Sequence, residues 1–234
     1  MKIAIHQPLF IPWLGYFDKI NKADIFVFLD HVQYSKGGWI NRNRIKMANS
    51  EILLTIPVIK KELNTPINAI QIDYNNKSWI RKHLNTIKYS YKKTPYFEEI
   101  YPILENSYLK NQEYLSNFNE ELIGKLCSYI GINTPIVRSS QLNVSGNKSQ
   151  LLLNICKECN ADTYIIGMGG NNDYMDYELF KHNNIKIQHQ QFHHPTYPQL
   201  GKDFIPNLSI IDLLFNKGKD SLEILESNNK KEII

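Results

Sequence analysis

Ile25-Phe26-Val27-Phe28-Leu29 is apolar at every position and is closed by Asp30. A strand with one wet face alternates apolar and polar residues. A run without alternation needs cover on both faces, which is the situation of a strand inside a parallel sheet. Short buried strands of this kind also read over Lys2 to Ile5 and Thr163 to Ile166, with a further strand over Ile185 to His189. Between the first two, Gln7 to Pro12 is a turn with two prolines, the second of which starts a helix near Trp13. Leu14, Phe17 and Ile20 share one face of that helix, and Ala23-Asp24 ends it. Residues 2 to 30 therefore read as a βαβ unit with a functional loop after each strand. Repetition of strand, loop and helix predicts an α/β fold: a Rossmann-like, mostly parallel sheet with flanking helices.

Downstream, Ile52 to Ile59 is a third strand candidate, with Pro57 setting it near an edge or a strand end, and Ile67 to Ile72 is placed to pair with it. Ser78 caps a helix running to Lys92. Residues 96 to 130 read as helical pieces broken near Lys110-Asn111, so 78 to 131 forms a helical insertion or subdomain. Pro135 to Arg138 is a short strand, and Ser145 to Ser149 turns into a helix ending near Asn160. Met175 to Asn183 is a helix, and Pro206 to Phe215 is the closing helix, ended by Gly218. The expected organisation is a single α/β domain over 1–226 and a flexible polar tail over 227–234.

Composition sets bounds on function. The 234 residues, 42% hydrophobic and 21% charged, suffice for a domain with a real core. A net charge of +4 with no dominant basic block predicts no bulk nucleic-acid binding. The interleaved Lys88-Tyr89-Ser90-Tyr91-Lys92-Lys93 reads as an amphipathic helix face. Three cysteines, an odd count, argue against a disulfide framework and for a reducing compartment. Met1-Lys2 leads straight into the first strand without a signal-type run, and no apolar stretch is long enough to span a membrane. The expected location is cytoplasmic.

In open parallel sheets ligands sit beyond the carboxyl ends of the strands, where the strand order reverses. That rule gathers the loops after Ile5, Leu29 and Ile166. His6, at the end of the first strand, is the candidate base, and Asp30, at the end of the second, is its partner for orienting the ring or a substrate amine. The segment from His31 to Ile45 supplies candidate binding groups in Gln33, Tyr34, Lys36, Trp39, Asn41, Arg42 and Asn43: an aromatic plate, amides and guanidinium forks suited to phosphate or carboxylate. Gln7 and Tyr16 flank the first loop, and Asp173 and Tyr174 close the glycine-rich turn from Gly167. That turn lacks the third glycine of a dinucleotide fingerprint, and neither a Walker motif nor a Gly-x-Ser-x-Gly elbow is present. The adjacent pair His193-His194 does not have zinc spacing, so His194, Tyr197 and Gln199 are expected to hold a polar ligand, and no metal is expected. Cys156-Lys157-Glu158-Cys159, a lone CxxC on an amphipathic helix, reads as core.

Two long segments resemble the WbqC-like family: His6 to Ile20, beginning His6-Gln7-Pro8-Leu9-Phe10-Ile11-Pro12-Trp13, and Phe28 to Asn43, which includes Lys36-Gly37-Gly38-Trp39-Ile40-Asn41-Arg42-Asn43. His194-Pro195-Thr196-Tyr197-Pro198-Gln199 and Pro206 to Asn216 extend the resemblance over nearly the whole chain. The chain departs from the family where a serine and glycine turn is replaced by Ile166-Gly167-Met168-Gly169-Gly170.

The resemblance implies a role in O-antigen or related polysaccharide biosynthesis and the transfer of an acyl or aminoacyl group to the amine of a nucleotide-linked amino sugar. No tightly bound cofactor is implied; an acyl thioester, on coenzyme A or an acyl carrier protein, would be the co-substrate. Two alternatives stand beside this. The first is a nucleotidyl or adenylyl transferase, although the His-x-Gly-His pair of such folds is missing here. The second is a non-catalytic partner in polysaccharide assembly.

Overall fold

The computed structural model describes residues 1–59, 62–167 and 175–227. Its centre is a five-stranded sheet of β1 (Lys2–His6), β2 (Ile25–Phe28), β5 (Ile136–Arg138), β6 (Thr163–Ile166) and β7 (Lys186–His189). The order is β5-β2-β1-β6-β7, and every neighbouring pair is parallel. This is the Rossmann-like α/β arrangement expected from the apolar strand runs. The chain builds outward from β1 to β2 and β5, then crosses back to β6 and β7, so the order reverses between β1 and β6.

Successive strand residues feed different cores, which is why the runs need no alternation. Ala4, Phe26, Phe28 and Ile165 join one apolar cluster with Leu14, Phe17 and Ile20 of α1 (Leu14–Lys22). The same cluster takes in α2 (Ser78–Tyr91), α3 (Phe97–Leu109), α4 (Leu115–Ile130) and α7 (Ile210–Lys217). Ile3, Ile5, Val27 and Ile166 face the other way, against Leu152, Ile155 and Cys156 of α5 (Lys148–Glu158) and Phe180 of α6 (Tyr177–His182). Within α2, Tyr91 points inward and Tyr89 outward, the amphipathic face read from the sequence.

Register sets one row at the carboxyl edge. His6 pairs with Phe28, and Phe28 with Arg138. In-register residues of parallel strands share a face. All three side chains therefore belong to the face covered by α1 and α4.

Several expectations shift. The polar segment after β2 contains a strand, β3 (Arg42–Met47), which forms an antiparallel hairpin with β4 (Ser50–Thr55) through a turn with Ala48 at φ +54°. Its polar content hid it: Asn43 and Lys46 are buried, Asn43 on the face of Ile45 and Lys46 on the opposite one, and their polar ends find internal partners. Ile67–Ala69 is a single 3-10 turn, and only the Val58–Ile72 bridge survives of the expected pairing. Ser78 is the first residue of α2 rather than its cap; its N–H donates to Asn76 Oδ1 at 3.0 Å. The closing helix begins at Ile210, capped by Ser209, because Asn207 has the left-handed φ of +58° and interrupts any start at Pro206. A further helix, α8 (Ser221–Ser227), follows. Among the described residues no helix is long and apolar enough to cross a membrane.

Candidate functional site

His6 ends β1 partly buried, its ring edge-on to Tyr16 with centroids 4.8 Å apart. Its Nδ1 lies 3.1 Å from the Gln7 carbonyl, which can only accept, so Nδ1 carries the proton of the neutral ring. Nε2 keeps its lone pair and has no partner among the described residues. The same carbonyl accepts from Tyr16 Oη at 2.9 Å. Burial, with the charge of Lys19 nearby, lowers the His6 pKa to about 3, and the imidazole is neutral at physiological pH.

Lys19 follows Tyr16 by three positions on α1, so both lie on the same side of the helix. It is 4% exposed, and burial lowers its pKa to about 7. A Cβ built on Gly167, just beyond β6, would lie 3.8 Å from Lys19 Nζ and 3.9 Å from Gln190 Oε1. Gln190 in turn donates to the Gly15 carbonyl at 2.7 Å and to Asp18 Oδ2 at 2.6 Å. Asp18 also pairs with Lys22 at 3.0 Å. The nearby carboxylate is thus occupied, and Lys19 has no ion-pair or hydrogen-bond partner among the described residues. His6, Lys19, Gly167 and Gln190 ring the point where the strand order reverses.

Asp30 does not meet His6. Its buried carboxylate accepts from Ser139 Oγ at 3.0 Å, Ser140 N at 2.9 Å and Ser140 Oγ at 2.5 Å. His31 Nδ1 lies 2.6 Å from the same Ser139 hydroxyl. Asp30 thereby ties the loop after β2 to the turn after β5. Beside it, Arg138 Nε contacts Glu120 Oε2 of α4 at 2.5 Å, while Glu120 Oε1 is buried with no hydrogen-bond partner among the described residues. Burial raises the Glu120 pKa to about 7, Asp30 adding to the rise and Arg138 opposing it. These two residues line a cleft of about 540 Å³ with Gln112, Asn117 and Gln141.

Most of the candidate binding residues after β2 meet in a different cleft, of about 620 Å³. Gln33, Tyr34, Lys36, Asn41 and Arg42 line it, together with Glu62, over a floor that includes Val58 and Ile70. Gly37, at φ +85°, turns its carbonyl and that of Gly38 to the Arg42 guanidinium. Burial pushes the Tyr34 phenol up, with Arg42 opposing the shift. Trp39, 43% exposed, carries the guanidinium carbons of Arg42 and Arg44 at 5.9 and 5.2 Å from its ring centroid. Asn41 is half spent on structure, its amide donating to the Ile56 carbonyl at 2.9 Å. Asn43 is wholly so: it donates to the Phe10 and Ile11 carbonyls at 3.2 and 2.8 Å and steadies a turn in which Ile11 has the strained φ of +34°.

The candidates near the C-terminus serve another end of the fold. Tyr197 Oη and Gln199 Nε2 donate to the fully buried Asp212 at 2.9 and 2.8 Å, joined by Tyr91 Oη at 2.9 Å. Gln199 Oε1 accepts from Lys46 Nζ at 3.0 Å. His194 is held between the Pro195 carbonyl at Nδ1, 2.8 Å, and the Asn207 N–H at Nε2, 3.0 Å. Their polarity therefore fastens the segment before α7 to β3 and α2. Asp173 and Tyr174, with most of the glycine-rich turn, lie outside the described residues. Among the described residues no group of three His, Cys, Asp or Glu is set to hold a metal.

Sequence reasoning missed Lys19, Glu120 and Arg138. The helical spacing from Tyr16 would have placed Lys19 towards the sheet, and the last position of a short strand would have placed Arg138 at the ligand edge. Glu120, inside an amphipathic helix, offered no such signal.

A parallel sheet that reverses order beside a neutral histidine and a buried lysine defines a Rossmann-like α/β protein with polar groups at its switch point. The chain belongs to the WbqC-like protein family, whose pattern matches residues 7–224. It is 34% identical over 227 residues to the uncharacterized protein Rv1507c of Mycobacterium tuberculosis, covering 96% of this chain and 97% of that one. No solved structure matches it.

Proposed function

We propose that this protein transfers an acyl or aminoacyl group from a thioester to the amine of a nucleotide-linked amino sugar in polysaccharide biosynthesis. The observation that carries the reading is His6: a neutral imidazole at the switch point whose Nδ1–H is fixed by the Gln7 carbonyl, leaving Nε2 as a proton acceptor with no partner among the described residues. In the proposed step the amine nitrogen attacks the thioester carbonyl carbon and the C–S bond breaks. The amine proton passes to His6 Nε2 and from there to the leaving sulfur. A low pKa keeps the ring in its base form throughout the physiological range, and a negative group bound beside it would increase its proton affinity. Lys36 and Arg42, at the cleft lined by Tyr34 and Gln33, supply cationic and aromatic groups for a phosphate-bearing substrate.

Incubating nucleotide-linked amino sugars with acyl thioesters and following the amide product by mass spectrometry tests the reading. His6→Ala should lower kcat by about 10²–10⁴ with the fold retained. Turnover within tenfold of wild type would exclude His6 as the base.

The strand order itself favours a second reading, nucleotidyl or adenylyl transfer, because ligands of parallel sheets gather at such reversals. It requires ATP and magnesium and releases pyrophosphate, which preformed-thioester chemistry does not. A pyrophosphate release assay separates the two.

A further inference from the structure

One side of α4 is polar although it borders β5, the outer strand of the sheet. Asn117, Glu120, Glu121 and Gly124 recur at i, i+3, i+4 and i+7, so they share that side. With Arg138 and Gln141 they line the cleft of about 540 Å³, and every residue of its lining is a described one. Gly124 has no packing reason to be glycine. A Cβ built on it meets nothing within 4 Å, yet glycine inside a helix is less stable than alanine.

Charge in the cleft is already balanced. Arg138 Nε lies 2.5 Å from Glu120 Oε2. Glu121 Oε1 lies 2.7 Å from both Lys110 Nζ and Lys125 Nζ, and its Oε2 accepts from Gln112 Nε2 at 2.6 Å. An ion of either sign would meet charges that are matched. The Asn117 and Gln141 amides and the Arg138 Nη groups, by contrast, have no partner among the described residues. Ile136 and Val137 of β5 supply an apolar wall.

We infer that this cleft binds an uncharged ring bearing several hydroxyl groups, a sugar, held by Asn117, Gln141 and Arg138 with Gly124 keeping the space clear. Amides both donate and accept, as hydroxyls do, and an arginine already seated on a carboxylate donates without leaving a charge unbalanced. A little apolar surface with a few fixed polar groups is the make-up of a small-molecule site. In-register pairing sets Arg138 two strand spacings from His6, about 10 Å, along the carboxyl edge of the sheet. The inference goes beyond the acyl-transfer reading, because it needs no acyl donor and no role for His6.

The test is NMR of the isotope-labelled full chain, following the side-chain amide signals of Asn117 and Gln141, assigned through Asn117→Ala and Gln141→Ala. The probes are glucose, galactose, mannose and N-acetylglucosamine, with pyrophosphate and putrescine as charged counterparts. At least one sugar should shift both amides saturably at millimolar concentration. Gly124→Leu puts a side chain into the cleft and should weaken that binding at least tenfold. It should melt at or above the wild-type temperature, since its Cβ meets no atom and leucine favours a helix over glycine. Gln141→Ala, at an exposed position, should weaken binding at least threefold without touching the helix. Failure of all four sugars to shift either amide overturns the inference. So do Gly124→Leu and Gln141→Ala both binding as tightly as wild type, and so does a charged probe saturating these amides at lower concentration than every sugar. Failure of the acyl-transfer reading would look different: no amide product from any donor, with the sugar-dependent shifts intact.

Discussion

A methyl group on Gly167 would stand 3.8 Å from Lys19 Nζ, at ordinary van der Waals distance. The contact is loose enough for alanine to fold. Gly167→Ala should therefore leave stability within about 1 kcal/mol of wild type, as for a substitution without a clash. Thermal unfolding measures this, and a Gly167→Ala protein destabilised by more than about 2 kcal/mol would mean that the surroundings of Gly167 leave no room for a methyl group.

Acid should weaken the fold through its buried histidines. His6 and His83 ordinarily titrate near 6.5, and burial lowers them to about 3 and about 4. Between those values the unfolded chain binds protons that the folded chain refuses, so stability falls as pH drops from 6.5 towards 4. Glu120 works in the opposite sense. Its pKa rises from 4.5 to about 7, so the folded state holds the extra proton and stability falls as pH climbs through that window. Urea midpoints measured from pH 4 to 8 should change slope in Glu120→Gln, with less loss of stability between pH 5 and 7 than in wild type. An identical slope would show that Glu120 titrates normally.

Asp30 is expected to matter for folding. It binds three donors from Ser139 and Ser140 while buried. Asp30→Ala strands those donors and should cost about 3 kcal/mol, and Ser140→Ala about 1 kcal/mol. Denaturant titration measures both. An Asp30→Ala protein as stable as wild type would contradict the anchoring role.

The carboxylate of Asp212 binds Tyr91, Tyr197 and Gln199 together. Tyr197→Phe and Tyr91→Phe should each destabilise by about 1–2 kcal/mol, because each leaves a buried acceptor short of a donor. Through the shared carboxylate the pair should be non-additive by at least about 0.5 kcal/mol. Substrate affinity should be unaffected in Tyr197→Phe. A selective loss of binding with stability unchanged would return Tyr197 to the ligand site.

The local code was sufficient for the parallel sheet. Ile25 to Phe28 and Thr163 to Ile166 fall where their unbroken apolar runs put them, since burial on both faces is written in consecutive residues. Gln33, Tyr34, Lys36, Asn41 and Arg42, crowded in one segment, line one cleft, whose lining includes neither His6 nor Asp30. The β3 strand stayed hidden because its buried Asn43 and Lys46 look like loop residues until Phe10, Ile11 and Gln199 arrive as partners from elsewhere in the chain.

Polarity in the sequence does not state where its partner is. Asp30 and Tyr197 looked like ligand groups, yet Ser140 and Asp212 lie opposite them, brought there by β5 and α7. Lys19 is one more helix lysine in the sequence, and only the crossing from β5 back to β6 brings it beside Gly167. Neighbouring residues alone determined the strands of the parallel sheet, the first helix and the position of His6 at a strand end. Which polar groups are satisfied inside and which are left facing the crevice was decided by contacts between distant segments, because the energy of a buried charge depends on what surrounds it.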